Sequence, residues 1–261
     1  MERLEERSLL SATPLGAMPD DTAEFMLGEV LVTLVLMESK EASPLSVNTE
    51  DWTANSIADI KAKAVEAMQW WEDALDQQFP SHAHSLDFQF DFTYADAPVL
   101  TDYEPISHTS NWSSFWVGDF LKEVGFNATS DVSKNIRQFN HAQRVQHGTD
   151  WAFTIFVAND ENDVDKQFAP GGQFRQAFSF PGGEFIVAPA SRPVQTFTHE
   201  TGHIFWARDE YPGGGSYEDQ RGYYNTRNVN AWDNPADNFT QAISLMANGT
   251  LVSQAFQQHT S

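Results

Sequence analysis

The segment HETGH at residues 199–203 is the part of the sequence best suited to metal chemistry. His199 and His203 are four positions apart, so on a helix both imidazoles lie on one face, close enough to bind one ion. Glu200 lies to the side of that face, where its carboxylate can reach a water on the metal without binding the metal itself. The pattern predicts a catalytic zinc site with His199 and His203 as ligands and Glu200 as the general base.

A catalytic zinc ion needs a third protein ligand and one open coordination position. Asp209, six residues after His203, offers a hard anionic oxygen, and its neighbour Glu210 is a second candidate. Thiolate ligands are excluded because the chain contains no cysteine. We expect Asp209 to complete the site, with Glu210 as the alternative. A different kind of zinc hydrolase would place its last ligand elsewhere, for example at Glu218.

Together with Asp209, the HETGH segment resembles the extended zinc motif of the metzincin clan of metallopeptidases. Most members of that clan have histidine as the third ligand, whereas some secreted bacterial members such as snapalysin have aspartate. The segment Asp209-Glu210-Tyr211 is also similar to the immunoglobulin-A-cleaving metallopeptidases of bacteria. The clan carries a methionine-bearing turn beneath the metal, and residues 244–249 (SLMANG) fit it. The resemblance therefore implies that Met246 lies under the zinc.

Two positions depart from the pattern of the clan. Trp206 stands where the motif usually has glycine, at the sharp turn between the second and third ligands. We therefore expect Trp206 to adopt a strained backbone conformation or the turn to have a different shape. The clan often has a tyrosine two residues after the methionine, but here that residue is Asn248. The sequence thus names no second hydrogen-bond donor for the reacting carbonyl.

Apolar periodicity predicts the elements that position this site. Strands are predicted at 30–37, 86–94, 151–157, near 174–180 and at 184–188, and helices at 112–124 and 132–145. Another helix is capped by Thr53 and ends before Pro80, and Ser191 is the expected N-cap of the zinc helix. This order indicates an α/β (α+β) fold with a twisted, mostly parallel sheet and helices packed on it. The resemblance adds an antiparallel edge strand and makes the expected architecture metzincin-like.

We expect a leader at residues 1–20, related to export, followed by a catalytic domain at 21–261. Its N-terminal subdomain would cover about 21–205. Its C-terminal subdomain, about 206–261, should be irregular, because the run from Pro212 to Ser216 is glycine-rich and little periodicity follows. Since the clan usually adds a final helix after the methionine turn, the domain could be truncated at its end.

Composition narrows the partners and the location of the protein. A net charge of −22 argues against a nucleic-acid partner. The longest apolar run, residues 30–37, is too short to span a bilayer, so no transmembrane segment is expected. Residues 4–12 resemble a leader motif of exported bacterial proteins, which favours a secreted or cell-surface bacterial protein. The acidic turn at 160–165 could bind calcium, although it lacks the spacing and glycine of a known calcium loop.

The expected function is a zinc-dependent endopeptidase that hydrolyses extracellular proteins, with Glu200 moving the proton of the attacking water. The resemblance implies that a protein or peptide substrate binds in an extended form along an edge strand near Phe174–Phe180. The alternative is a catalytically silent, zinc-stabilised binding or adhesion module of a larger exported protein. Glu200 favours the enzyme, because a purely structural zinc site needs no base at that position.

Overall fold

The longest apolar run of the chain forms the central strand of a six-stranded sheet, β1 (Gly28–Ser39). Residues 30–37 of β1 are buried, as expected for a continuous apolar run that is covered on both faces. This computed structural model describes residues 22–41, 45, 47–81, 83–222 and 225–247. The predicted leader at 1–20 and the position of Asn248 lie outside the described residues.

The other strands extend the sheet in the order β2-β1-β4-β6-β5, with β3 also paired to β1. Their bounds are β2 (Leu86–Asp91), β3 (Val99–Thr101), β4 (Trp151–Ala158), β5 (Phe178–Phe180) and β6 (Phe185–Pro189). Strand β1 runs parallel to β2, β3 and β4, and β4 runs parallel to β6, whereas β5 runs antiparallel to β6. The prediction of a mostly parallel sheet with an antiparallel edge is therefore confirmed.

Helices cover both faces of this sheet. Their bounds are α1 (Ala54–Gln78), α2 (Thr93–Asp96), α3 (Ser113–Glu123), α4 (Val132–His147) and α5 (Val194–Ile204). Helices α1 and α5 pack on one face against alternate residues of β1 and β4, while α3 and α4 pack on the other face. Because both faces of the sheet are buried, the central strands β1 and β4 consist of continuous runs of mainly apolar residues and do not alternate between apolar and polar residues.

Helix α1 begins where the sequence predicts and positions the zinc helix. Thr53 forms a reciprocal capping box with Ser56, whose backbone N–H donates to the Thr53 hydroxyl over 3.1 Å. Near the other end of α1, Trp71 Nε1 donates to the carbonyl oxygen of Thr198 over 3.0 Å. This bond ties α1 to α5 next to His199, so a long helix of ordinary composition holds the element that carries the candidate ligands.

Two predicted boundaries are wrong for identifiable reasons. The predicted edge strand near 174–180 is shorter, since the N–H of Phe174 donates to the Ser110 hydroxyl over 2.9 Å instead of pairing in the sheet. Ser191 does not cap α5: Pro193 is its N-cap, without a side-chain bond, and the Ser191 hydroxyl donates to the buried carboxylate of Asp160 over 2.5 Å. In both cases a serine hydroxyl forms a hydrogen bond with a residue that is distant in sequence.

Short elements account for the other differences. Strand β2 ends at Asp91 rather than at residue 94, because the one-turn helix α2 begins at Thr93, whose N–H donates to the Asp91 carboxylate over 2.9 Å. The three-residue strand β3 was not predicted. After Ile204, the described residues contain only β7 (Gln220–Arg221) and β8 (Thr226–Arg227) as regular structure. No helix of the described residues is long and apolar enough to cross a membrane.

Candidate metal centre

Helix α5 carries both predicted histidines, and the chain then turns back so that Asp209 meets them. His199 Nε2 lies 3.1 Å from His203 Nε2, and Asp209 Oδ1 lies 3.1 and 3.3 Å from these two nitrogens. The three side chains are between 13% and 23% exposed. Among the residues that the structure describes, they are the one group of three or more potential metal-binding side chains that converge.

The ring nitrogen of each histidine that faces away from the triangle of candidate ligands, Nδ1, contacts a backbone carbonyl oxygen. His199 Nδ1 lies 3.2 Å from the oxygen of Leu245, and His203 Nδ1 lies 2.8 Å from the oxygen of Ala207. Because a carbonyl oxygen can only accept, each Nδ1 carries the hydrogen, and each Nε2 of the neutral imidazole presents a lone pair. Outer hydrogen bonds of this kind fix the tautomer and the ring orientation of a metal-binding histidine.

Three electron-pair donors therefore face one another with no hydrogen between them in the neutral state. Asp209 Oδ1 is buried and lacks a hydrogen-bond partner among the described residues, despite its short distances to both imidazoles. Repulsion between these atoms is relieved by a bound metal ion or by a proton on one of the imidazoles. Zinc fits the triangle, because ligand atoms at 2.0–2.1 Å from a tetrahedral ion lie about 3.3 Å apart.

The charges of the site shift the pKa values of His203 and Asp209 in opposite directions. Burial lowers the pKa of His203, but the polar contact with Asp209 and the charge of Glu200 outweigh burial and raise that pKa above its ordinary value. Burial would raise the pKa of Asp209, yet contact with both imidazoles holds it well below its ordinary value. Asp209 is thus an anion near neutral pH, which suits a metal ligand.

Trp206 adopts a left-handed conformation, which is one of the two outcomes that its place in the sequence predicts. Its φ is +73°, and the turn closes with bonds from Trp206 N to His203 O and from Ala207 N to Gly202 O, both 3.0 Å. These two bonds form a Schellman motif, in which glycine usually occupies the left-handed position. The Trp206 side chain packs against Gly182 and Gly222, and its Nε1 is buried without a hydrogen-bond partner among the described residues. A Cβ on Gly182 would come within 2.9 Å of the indole.

The glycine-rich run after Tyr211 holds the backbone of Asp209. A Cβ on Gly214 would collide with the Asp209 side chain, and a Cβ on Gly215 would collide with the Asp209 carbonyl oxygen. That oxygen accepts hydrogen bonds from Gly215 N over 3.1 Å and from Asn228 Nδ2 over 2.8 Å. The glycine-rich run therefore fixes the position of Asp209, the third candidate ligand. The sequence marks it as a loop without revealing this contact.

Neither alternative third ligand joins the triangle. The Glu210 carboxylate points away and accepts hydrogen bonds from Asn230, over 2.6 Å, and from the hydroxyl of Ser244. Glu218 is exposed and lies 3.2 Å from Arg227. Glu210 instead braces the segment that contains Ser244, so adjacent acids in the sequence have separate roles in the structure.

Met246 packs against α5 at Gly202. Its side chain is 6% exposed, and a Cβ on Gly202 would come within 3.0 Å of its sulfur. The same turn supplies the Leu245 carbonyl that holds His199, and the Met246 carbonyl accepts from Glu210 N over 3.0 Å. Gly202 thus lets the methionine turn approach α5 closely, which explains the glycine inside a helix.

Glu200 is buried beside the triangle and is held by a residue that the sequence did not identify. The hydroxyl of Ser179 on β5 donates to Glu200 Oε2 over 2.7 Å. Burial raises the pKa of Glu200, and the nearby charges of His203 and His199 oppose that rise. A lone serine between two phenylalanines of the predicted edge strand was the available signal. The sequence alone could not show which face of the sheet that serine occupies.

Tyr211 adds a neutral hydroxyl to the same surroundings. Burial raises its pKa to about 12, and the charge and hydrogen-bonding contact of Asp209 contribute to the rise, as does the charge of Glu200. The phenol therefore stays protonated throughout the physiological range. Its side chain is 40% exposed, so it lies at the boundary between the site and solvent.

The acidic turn at 160–165 uses its carboxylates separately. Asp160 accepts from the N–H of Ser191 over 3.0 Å, Asp163 accepts from Lys166 N over 2.7 Å, and Asp165 pairs with Arg175 over 2.7 Å. These side chains do not meet at a shared point in the way that a calcium site requires. Calcium binding at this turn stays a prediction.

Comparison with protein-family models, with curated proteins and with solved structures finds no match for this chain. The chemistry of the converging side chains is therefore what supports a function.

Proposed function

We propose that the chain is a zinc-dependent endopeptidase of metzincin type, secreted or displayed on a bacterial cell surface. The observation that carries the proposal is the triangle of His199, His203 and Asp209, whose three electron-pair donors lie 3.1–3.3 Å apart with a buried carboxylate beside them. Among the described residues the group has three potential ligands, and three protein ligands with an open position are the pattern of catalytic rather than structural zinc. The packing of Met246 against α5 at Gly202 supports the same clan.

His199, His203 and Asp209 would hold the ion, which supplies Lewis-acid chemistry that polarises a carbonyl and makes water nucleophilic near neutral pH. Glu200 accepts a proton from the attacking water and delivers it to the nitrogen of the leaving amine. Burial raises the pKa of Glu200 in the metal-free protein, and a bound cation would oppose that rise, which keeps the carboxylate able to accept a proton. The Ser179 hydroxyl holds the Glu200 carboxylate in place.

A substrate chain would bind along β5. This strand is the terminal strand of the sheet order, and its central residue, Ser179, contacts Glu200. An extended peptide that pairs with the outer edge of β5 would therefore lie beside the base. Main-chain pairing gives affinity for peptides of many sequences, which suits a protein that degrades unfolded or extracellular proteins.

The test measures bound zinc and cleavage of unfolded casein for the full chain and three variants. We expect the parent and Glu200→Ala to bind about one zinc per chain, with only the parent cleaving casein. Asp209→Ala should lose tight zinc binding, whereas Glu218→Ala should retain it. Zinc binding without cleavage by the parent would favour the silent, zinc-stabilised module. Failure of the parent to bind zinc would overturn the proposal.

A further inference from the structure

A pocket of about 280 Å³ lies on the face of β5 opposite the metal centre. Its apolar walls are Phe174, Phe178, Phe180 and Phe185, and small polar residues such as Ser114 and Ser133 lie at its rim. Concave sites lined mainly by aromatic side chains are typical of ligand pockets, and this volume is sufficient for one large side chain.

The walls of the pocket form one aromatic cluster that is continuous with the edge strand. The rings of Phe174 and Phe178 stack with centroids 4.7 Å apart, and those of Phe180 and Phe185 are 5.0 Å apart. Phe180 is 36% exposed although it belongs to this cluster. Its partly open ring connects the pocket to the surface at the end of β5.

The alternation of β5 links the pocket to the metal centre. Phe178 and Phe180 pair with Val187 and Phe185 on the face that carries α3 and α4, whereas Ser179 faces α5 and contacts Glu200. Directly opposed residues of paired strands point to the same face. A substrate residue opposite Ser179 therefore points toward Glu200, and its immediate neighbour points toward the pocket.

We propose that this pocket is a specificity subsite for one large apolar side chain, aromatic or branched aliphatic, of a peptide paired with β5. The subsite rests on the proposed peptidase function, since it requires a substrate strand on that edge. It takes the residue next to the one that faces Glu200. The four phenylalanines supply the apolar walls, and the serines at the rim leave room for a side chain to enter.

Pools of labelled octapeptides test the subsite, each pool having one position fixed as Phe, Leu, Ala or Asp and the others random. Cleavage is measured with the zinc-loaded parent, and binding by fluorescence anisotropy with the zinc-loaded Glu200→Ala protein. At one position, Phe and Leu should exceed Ala by at least about tenfold in both assays, as burial of a large apolar side chain implies. Asp at that position should be disfavoured.

Filling the pocket identifies it as the origin of the preference. Ser133→Trp and Ser114→Trp, each placed in the Glu200→Ala background for binding, should reduce the Phe-to-Ala ratio to near one. Lys134→Trp is the matched control, because Lys134 is exposed on the same turn but does not line the pocket, and it should keep the ratio. Comparable thermal unfolding of all three variants would show that they are folded.

The outcomes separate the two proposals. Cleavage by the parent without any apolar preference, or a preference that survives both pocket-filling variants, overturns the subsite and leaves the peptidase function intact. Apolar-selective binding without cleavage by the parent leaves the pocket intact and overturns the peptidase function. Absence of both binding and cleavage overturns both.

Discussion

At the scale of single residues, the central feature is the meeting of three acceptor atoms in a partly buried space. Leu245 and Ala207 take up the Nδ1 hydrogens of the two histidines, and this directs both Nε2 lone pairs toward Asp209. A metal ion bound between these atoms would relieve their electrostatic repulsion. Backbone carbonyls that no sequence motif records thus orient a group of side chains that could hold a metal ion.

Ser179 is expected to position Glu200 during catalysis. Ser179→Ala should lower kcat about tenfold, because a buried carboxylate loses a hydrogen bond of 2.7 Å that fixes its orientation. KM should change less than about twofold, since β5 still offers its main chain. Steady-state kinetics on casein-derived peptides measures both constants. Ser179→Thr keeps the hydroxyl and should restore kcat. A threonine variant as slow as the alanine variant would count against this role.

At the scale of elements, α5 and the methionine turn depend on one close contact. Gly202 lies inside α5, where alanine would normally be favoured by about 1 kcal/mol. A Cβ there would come within 3.0 Å of the Met246 sulfur and 3.3 Å of Trp71 Cζ2. The glycine is thus kept at the expense of helix propensity because it seats the turn that holds His199.

Gly202→Ala should therefore weaken zinc binding by about tenfold or more, the usual effect of disturbing groups that orient metal ligands. Gly118→Ala is the matched control, because Gly118 lies inside α3 with no atom within 4 Å of an added Cβ. It should stabilise the fold by up to about 1 kcal/mol and leave zinc binding unchanged. Chelator competition and thermal unfolding measure the two effects. Equal zinc affinity of both variants would show that the close approach of Gly202 to Met246 does not affect zinc binding.

Elements whose signals are local could be predicted from the sequence. The apolar run of β1, the Thr53 cap of α1 and the spacing of His199 and His203 depend on neighbouring residues, and the structure has them as expected. The left-handed turn at Trp206 is one of the two outcomes predicted for a position that normally requires glycine. Local patterning therefore located the helix that carries the site.

Contacts between distant segments could not be predicted. Ser191 bonds Asp160 instead of capping α5, and Ser179 reaches Glu200 across the sheet edge. Glu210 and Asp209 are adjacent acids, yet only the fold shows that Glu210 turns toward Asn230. Each of these outcomes depends on a hydroxyl or carboxylate choosing among partners that come together only after folding.

At the scale of the whole molecule, the chain is strongly acidic, and two of its carboxylates, Glu50 and Glu104, are buried near one end of β1. Glu104 accepts hydrogen bonds from Ser39, Thr49 and Glu50, and burial raises the pKa of both Glu104 and Glu50. Glu38 lies in the same region, and its Oε1 is buried without a partner among the described residues. Protonation of these groups favours the folded state, unlike that of ordinary surface acids.

Glu38 gives the clearest pH dependence. Burial, with the charges of Glu104 and Asp51, raises its pKa to about 7 despite the hydrogen bond from Trp52 N. Because the folded pKa exceeds the unfolded value of 4.5, folding is favoured at low pH. That contribution is lost as pH rises from about 4.5 to about 7.

Glu38→Gln should therefore raise the Tm by about 2 °C or more at pH 8, where the parent must bury a charge, and change it little at pH 5. Chelator is present throughout, so that loss of metal at low pH does not contribute. Glu41→Gln is the control, because it removes the same formal charge from an exposed position nearby. If both variants gain equally at pH 8, relief of general repulsion in a chain of charge −22 is the cause, and burial of Glu38 is not. If Glu38→Gln alone gains, and only at the higher pH, the buried carboxylate limits the stability of the fold in neutral solution.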